Sequence, residues 1–197
     1  MSRLIDISPR LHPGAPTFPG DAPTELRWTE RMASGARANV GAVSFSTHAG
    51  AHADAPLHVV AGAGDITSLP LEAFWGPARV FEIRHTEIIG TAELALLEWK
   101  GVERALFRTG GTGYLDEAAS SFLIERRIRL VGIDSLSVDR EGDPEMPVHR
   151  AFARAQIAVL ECLRLQHAPV GDYDLAALPL AIEGADASPV RAALRSL

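Results

Sequence analysis

Three of the protein's seven histidines and one aspartate fall within thirteen residues, STHAGAHADAPLH (46–58). The imidazoles of His48 and His52 and the carboxylate of Asp54 are groups that zinc and manganese accept as ligands. Three protein ligands leave an open coordination position for water. His58 follows closely enough to be an acid–base group that does not itself bind the metal. From the residues alone, the segment predicts a divalent metal site, and a substrate-binding loop and a tight turn are the alternatives.

A compact loop is the predicted setting of these ligands. The four-residue spacing of His48 and His52 would place both on one helix face, but Gly50 and Pro56 disfavour a long helix there. We therefore predict a strand over 43–46 that leads into a loop, whose curvature brings the ligands together. Ordinary surface or core positions are predicted for His12, His85 and His167.

The rest of the chain alternates between apolar, β-branched runs and helical patterns. Predicted strands cover 4–7, 43–46, 80–83, 105–108 and 130–133. Helical patterns run through Leu94 and Leu97 and over 115–127. This alternation predicts an α/β fold. We expect the sheet to be mixed, because the segment 81–90 and its neighbours could pair as hairpins.

Composition and length fit one globular domain over residues 1–197, with 47% hydrophobic and 22% charged residues. Prolines interrupt two segments, 12–23 and 139–147, which we predict to be loops. The net charge of −6 predicts no nucleic-acid partner. No apolar run is long enough to predict a membrane span.

Cysteine usage and the start of the chain predict a cytoplasmic protein. Cys162 is the single cysteine, which fits a reducing compartment. The opening residues, MSRLIDISPR, contain no hydrophobic segment typical of a secretory signal. The sequence also lacks a G-x-S-x-G motif, which argues against a serine hydrolase.

The segment HAGAHADAPLH resembles the H-x-G-x-H-x-D-x-P-x-H signature of the cyclase-like metal-dependent hydrolases. Four further segments resemble the formamidase branch of that family: LIDISPRLHPGAPTFPGD, LVGIDSLSVD, GDYDLAALPL and DASPVRAAL. The resemblance implies a mixed-sheet swivelling β/α/β fold and a homodimer. It also implies two zinc ions per subunit, or manganese or another divalent metal, and a small-molecule substrate.

The same resemblance implies a role for each site residue. His48, His52 and Asp54 would bind one ion, and Asp54 would bridge to a second ion held by His149 and Glu161. His58 would be the catalytic proton donor and acceptor. Phe18 would line the substrate pocket, where members of the formamidase branch usually carry tryptophan before the PGD sequence.

His149 and Glu161 are twelve residues apart, which allows a check that does not depend on the resemblance. On one continuous helix they would lie about 18 Å apart along the axis and about 120° apart around it. The residues alone favour a carboxylate on a helix surface for Glu161. If both bind one metal, the chain must change structure between them, and we predict a short helix over 149–155 followed by a buried strand over 157–160.

The activity implied by the resemblance is hydrolysis of N-formyl-L-kynurenine to L-kynurenine and formate by a metal-bound hydroxide. A formyl group has no acyl tail, which fits a site crowded by the small side chains of Ala49, Ala51, Ala53 and Ala55. Two alternatives remain. One is a hydrolase with a single metal that acts on another cyclic or aryl amide, such as isatin or an imide. The other is a metal- or ligand-binding relative without catalysis, for which His58 would have no use.

Overall fold

The computed structural model of the protein describes residues 3–84 and 86–197. His85, for which an ordinary surface or core position was predicted, lies outside the described residues. In chain order the strands are β1 Leu4–Asp6, β2 Glu25–Glu30, β3 Val40–Ser44, β4 His52–Asp54, β5 Trp75–Glu82, β6 Ile88–Ile89, β7 Arg104–Arg108, β8 Tyr114–Leu115, β9 Leu130–Ile133, β10 Ala158–Glu161, β11 Gly171–Ala176, β12 Ala187–Pro189 and β13 Ala193–Ser196. The α-helices are α1 Leu71–Phe74, α2 Thr91–Ala95, α3 Glu117–Glu125 and α4 Pro147–Ala155.

Among the described residues, nine strands form one mixed sheet in the order β1-β13-β11-β5-β7-β9-β10-β4-β12. The central strands β5, β7, β9 and β10 run parallel to one another. Parallel neighbours require crossover connections, and α2, α3 and α4 lie in the three crossovers of this centre. Antiparallel strands extend the sheet on both sides. The predicted α/β class with a mixed sheet is confirmed.

Alternate residues of the central strands face two hydrophobic cores. Leu106 and Leu160 belong to the core that includes Phe74 of α1. Phe107 and Val159 belong to the core beneath α3 and α4. This alternation follows from the two-residue period of a strand, and it fixes which strand residues can reach α4.

One predicted pairing is wrong, and one predicted strand has a different end. The segment 81–90 does not pair as a hairpin within the described residues, because β5 pairs in parallel with β7 and β6 pairs in parallel with β8. The strand predicted over 43–46 ends at Ser44. Strand pairing here is decided by distant partners, which the local apolar pattern does not identify.

The proline-containing segment 12–23 is a loop, as predicted, and so is the segment that follows β9 as far as the start of α4. Strands β2 and β3 form a separate two-stranded ribbon in which every residue is exposed. None of the helices in the described part of the chain is both long enough and apolar enough to cross a membrane.

Candidate metal centre

Strand pairing brings His52, Asp54 and Glu161 to one face of the sheet. β4 runs antiparallel to β10, with His52 opposite Glu161 and Asp54 opposite Val159. Residues two apart on a strand share a face, so all three polar side chains lie on the side of Val159, where α4 packs. All three are buried.

The position of His52 and Asp54 on β4 corrects the prediction of a curled loop. β4 is paired on both sides, with β10 and with β12. The two side chains are therefore directed by the pleat of a buried strand rather than by loop curvature. His48 does lie in the turn that precedes β4, as predicted.

Helix α4 supplies His149 from above this face. The carboxylate of Asp139 accepts hydrogen bonds from the backbone N–H groups of Val148 and His149, at 2.8 and 2.9 Å, and so caps the start of the helix. The same carboxylate lies 2.6 Å from His149 Nδ1. His149 Nε2 then faces Glu161 Oε1 at 3.1 Å. The change from helix to strand predicted between His149 and Glu161 is confirmed.

The five side chains predicted as ligands form two groups that share Asp54. One group contains His48, His52 and Asp54, and the other contains Asp54, His149 and Glu161. Within each group the candidate ligand atoms lie within 4.8 Å of one another. Asp54 Oδ1 is 3.1 Å from His48 Nδ1, and Asp54 Oδ2 is 3.4 Å from His149 Nε2. Each carboxylate oxygen of Asp54 thus faces a different group.

Buried polar atoms at the centre of these groups indicate whether a metal ion would fit there. His52 Nε2 and both carboxylate oxygens of Asp54 are buried without a hydrogen-bond partner among residues 3–84 and 86–197. A buried polar atom left unpaired costs about 1–3 kcal/mol. Lone pairs of imidazoles and carboxylates that converge in this way suit divalent cations. The residues therefore fit divalent metal binding.

At His52, His149 and Asp54, ion pairing in the metal-free site outweighs the effect of burial on the pKa. Burial lowers the pKa of His52, but the charges of Asp54 and Glu161 raise it well above 6.5. The pKa of His149 is likewise raised well above 6.5, because Glu161 and Asp139 outweigh its burial. Burial raises the pKa of Asp54, but His52 and His149 hold it well below 3.8. The pKa shifts therefore favour charged imidazoles and a charged carboxylate at this centre.

His58 lies between the two groups. It ends the 3₁₀ turn Pro56–His58, and its ring centroid is 4.3 Å from that of His48 and 5.6 Å from that of His149. Burial lowers the pKa of His58 below 6.5; the charge of Asp54 opposes this shift and the two neighbouring histidines reinforce it. A neutral imidazole at this position can accept a proton near neutral pH.

Two carboxylates of the site, Asp139 and Asp186, were not predicted from the sequence. The side chain of Asp186 lies 3.0 Å from His48 Nε2 and 3.4 Å from His58 Nδ1. Burial raises the pKa of Asp186, but hydrogen bonds from His48 and Thr47 outweigh it and lower the pKa to about 2. Both aspartates belong to segments that carry the family resemblance, yet no spacing relates them to the histidines.

A cleft of about 1000 Å³ opens over the two groups. Its lining includes His48, His52, His58, His149 and Glu161, together with residues of the loop 12–23. Phe18, the residue predicted to contact substrate, is half-exposed and lines this cleft.

The alanines of the motif do not crowd the cleft as predicted. Ala51, Ala53 and Ala55 are buried in the hydrophobic core on the opposite face of the sheet from α4. Ala53 lies between His52 and Asp54 on β4, so the strand pleat turns its side chain away from theirs. The small side chains allow close packing behind the site instead of shaping the space in front of it.

Known proteins are similar to this chain in sequence and in fold. The model of the Cyclase family matches residues 5–140. The chain belongs to the Cyclase family. The matched residues 5–140 include the histidine motif of this chain, whereas His149 and Glu161 lie beyond them.

The similarity to individual relatives extends over the whole of this chain. The kynurenine formamidase of Geobacillus thermodenitrificans is 40% identical over 207 residues, which cover 100% of this chain and 99% of that protein. A solved structure described as a potential metal-dependent hydrolase with cyclase activity has a TM-score of 0.86 and 27% identity, and covers 100% and 99% of the two chains. Isatin hydrolase A of Labrenzia aggregata, at 24% identity and a TM-score of 0.84, covers 98% and 93% and shares the fold. The resemblance to cyclase-like metal-dependent hydrolases is confirmed.

Proposed function

We propose that the protein is a metal-dependent arylformamidase that hydrolyses N-formyl-L-kynurenine to L-kynurenine and formate. The observation that carries the proposal is Asp54, whose two unpaired oxygens face two separate ligand groups. The chain around this residue is similar over its full length to kynurenine formamidases.

The proposed ligands are His48, His52 and Asp54 for one ion, and Asp54, His149 and Glu161 for the other. Charge supports two ions rather than one. Four carboxylates, Asp54, Glu161, Asp139 and Asp186, contact the imidazoles of the site. Their combined negative charge equals the positive charge of two divalent cations when the imidazoles are neutral. Zinc is the proposed metal, since it accepts this mixture of nitrogen and oxygen ligands, as manganese also does.

Divalent ions held by these ligands would lower the pKa of a bound water molecule and would supply positive charge for the developing oxyanion. The protein's own residue for proton transfer is His58. Its neutral imidazole accepts a proton from the attacking water and delivers it to the amine nitrogen as the C–N bond of the formamide breaks. Asp54 and Glu161, which are buried and paired with imidazoles, are less suited to carry this proton.

Phe18 is the proposed contact for the aromatic ring of the substrate. Its exposed ring lines the cleft that contains His58, and aromatic pairs add about 0.5–1.5 kcal/mol beyond buried area. The cleft is larger than a formyl group requires, which leaves room for the aryl and amino-acid parts of the substrate.

Hydrolysis of a cyclic amide such as isatin is the alternative, because an isatin hydrolase shares the fold. Zinc-loaded protein is assayed with N-formyl-L-kynurenine and isatin side by side, with chelator-treated protein and zinc restoration as controls. We expect kcat/KM for the formamide to exceed that for isatin by at least about 100-fold, a difference of two decades in transition-state binding. Equal values, or a preference for isatin, would overturn the proposed substrate.

We also propose that residues 1–197 act as one domain and that two copies form a homodimer in the cytoplasm. One sheet includes strands from Leu4 to Ser196, which supports a single domain.

The β2–β3 ribbon supports the proposed homodimer. Leu26, Trp28 and Val43 are 46, 43 and 55% exposed on its apolar face. An isolated ribbon is marginally stable in water, so contact with a second copy would stabilise it. Light scattering should give a dimer, and Trp28→Glu should shift it toward monomer. A wild-type monomer would contradict the assembly.

A further inference from the structure

Asp186 contacts both the first ligand group and the acid–base histidine. One carboxylate oxygen, Oδ1, accepts a hydrogen bond from the hydroxyl of Thr47 at 2.9 Å. The other, Oδ2, lies 3.0 Å from His48 Nε2 and 3.4 Å from His58 Nδ1. One oxygen atom thus meets two imidazoles whose ring centroids are 4.3 Å apart.

The backbone fixes the position of Asp186 independently of its side chain. Asp186 immediately precedes β12, an edge strand in which Ala187 pairs with Asp54. The backbone carbonyl of Asp186 accepts a hydrogen bond from the N–H of Ala55 at 2.9 Å. Substitution of the carboxylate therefore leaves the strand pairing intact.

A neutral imidazole donates through one nitrogen and accepts or coordinates through the other. When His48 donates Nε2–H to Asp186, the lone pair of Nδ1 is left pointing at Asp54 Oδ1, 3.1 Å away. A carboxylate partner of this kind fixes the tautomer and the ring orientation of a metal-binding histidine. The same oxygen restrains Nδ1 of His58, which leaves His58 Nε2 to exchange protons.

Asp139 plays a comparable part for His149, but it also caps α4 through two backbone N–H groups. The three hydrogen-bond contacts of the Asp186 carboxylate are with side chains. Loss of the Asp186 charge should therefore change the orientation of His48 and His58 more than it changes the stability of the fold. This difference allows a positioning role to be separated from a structural one.

We propose that Asp186 is a positioning residue that aligns His48 for metal binding and His58 for proton transfer through one shared carboxylate oxygen. The part of this inference that concerns proton transfer rests on the proposed function. The part that concerns metal binding does not, and it can be measured without substrate.

The experiment compares Asp186→Asn, Asp186→Glu and Asp65→Asn with the wild type. Asp65 is the matched control: its carboxylate accepts a hydrogen bond from Gly184 N at 2.6 Å, and so tethers the same loop without touching either histidine. Zinc affinity is measured by competition with a chelating dye, and total metal by elemental analysis. Melting temperatures of the metal-free proteins are recorded, and kcat and KM are measured with N-formyl-L-kynurenine.

Asp186→Asn should bind zinc about 10–100-fold more weakly, the usual effect of removing a partner of a metal-binding histidine. Its metal-free melting temperature should remain near that of the wild type. Saturated with zinc, it should lose kcat with little change in KM. Asp186→Glu should restore part of the affinity, and Asp65→Asn should leave it unchanged. If Asp186→Asn does not fold, Thr47→Val, which removes the hydroxyl that holds Oδ1, should weaken zinc binding in the same direction by a smaller factor.

Three results would overturn the proposal. Wild-type zinc affinity in Asp186→Asn would show that the carboxylate does not align His48. A loss of one whole ion per chain from Asp186→Asn, at saturating zinc, would make Asp186 a ligand together with His48 and His58. An equal loss of affinity in Asp65→Asn would mean that tethering the loop is all that Asp186 contributes. If the wild type does not hydrolyse the formamide, the proposed function fails, while the zinc measurements still decide the role of Asp186.

Discussion

The two ligand groups of the site are built in different ways. His48, His52 and Asp54 lie within seven residues, on a turn and the strand that follows it. His149 and Glu161 come from a helix and a strand, and they meet His52 only because β10 pairs with β4. The first group is partly open, with the His48 side chain 16% exposed, whereas every member of the second is almost fully buried. A compact motif can therefore form a partly exposed group of candidate ligands, whereas the buried group depends on the pairing of distant strands.

The largest expected effect is a loss of kcat without a loss of metal, on replacement of His58. His58→Ala should retain about two ions per chain and lose roughly 10²–10⁴ in kcat, because His58 faces both groups and is proposed as a proton carrier rather than a ligand. Elemental analysis and steady-state kinetics measure this. His167→Ala, an exposed histidine outside the cleft lining, is the matched control. Loss of metal from His58→Ala would make His58 a ligand and leave the mechanism without its acid.

The next largest effect is on metal content, which should differ between substitutions in the two ligand groups. Glu161→Gln should lower the metal content from about two ions to about one, since the second group loses one of its two carboxylates. Glutamine retains an oxygen that can accept the hydrogen bond from Val138 N, so folding should be preserved. His52→Ala should instead lose metal and activity together. A wild-type content of one ion or fewer, in protein never exposed to chelator, would contradict the two-ion site.

Asp139→Asn should weaken the second group through its helix. The Asp139 carboxylate accepts two backbone N–H groups and contacts His149, so replacing it leaves buried donors poorly paired. We expect metal-free protein to lose about 1–3 kcal/mol of unfolding free energy in urea. The same measurement on Asp186→Asn should show a much smaller loss. Equal losses would remove the distinction between a capping and a positioning carboxylate.

Acid should weaken metal binding most at the buried histidines. The pKa values of His52 and His149 are raised in the metal-free site, so metal must displace their protons. Apparent zinc affinity should fall as the pH drops, by roughly tenfold per pH unit for each proton displaced. In metal-free protein the same shifts stabilise the fold below about pH 6.5, and this stability is lost as the pH rises through the raised values. Zinc affinity independent of pH between about 6 and 8 would contradict the raised pKa values.

The smallest expected effect concerns the cleft in front of both groups. Phe18→Trp enlarges an aromatic face that already lines the cleft. Aromatic contacts of this size correspond to a decrease in KM of up to about tenfold for an aryl formamide. The value of kcat should not change, because the phenyl ring of Phe18 carries no group that could bind the metal or transfer a proton. An unchanged or higher KM would place the substrate ring elsewhere.

The sequence by itself determined the chemistry of the first group. His48, His52, Asp54 and His58 are close in space because they are close in the chain, and Pro56 begins the turn that carries His58. The central strands were also predictable, since short apolar runs mark them, such as ALF in β7 and LVGI in β9. The helix-to-strand change between His149 and Glu161 was predicted only on the condition, implied by the family resemblance, that both bind one metal. The residues alone favoured a helix surface for Glu161, which is wrong, because Glu161 is buried at the end of β10.

The tertiary structure alone decided which distant side chains complete the site. The alignment of Glu161 with His52, and of Ala187 with Asp54, depends on sheet pairings between segments more than a hundred residues apart. No local pattern specifies such partners, because a strand's alternation fixes its faces but not its neighbour. For the same reason Asp186 was missed. Asp139 lies only ten residues before His149, but it is in a loop whose sequence has no periodicity that relates the two. The alanines were assigned to the wrong side because a loop was predicted where β4 is a strand. Spacing along the chain brings His48, His52 and Asp54 close together, and the register of the sheet determines which distant residues lie beside them.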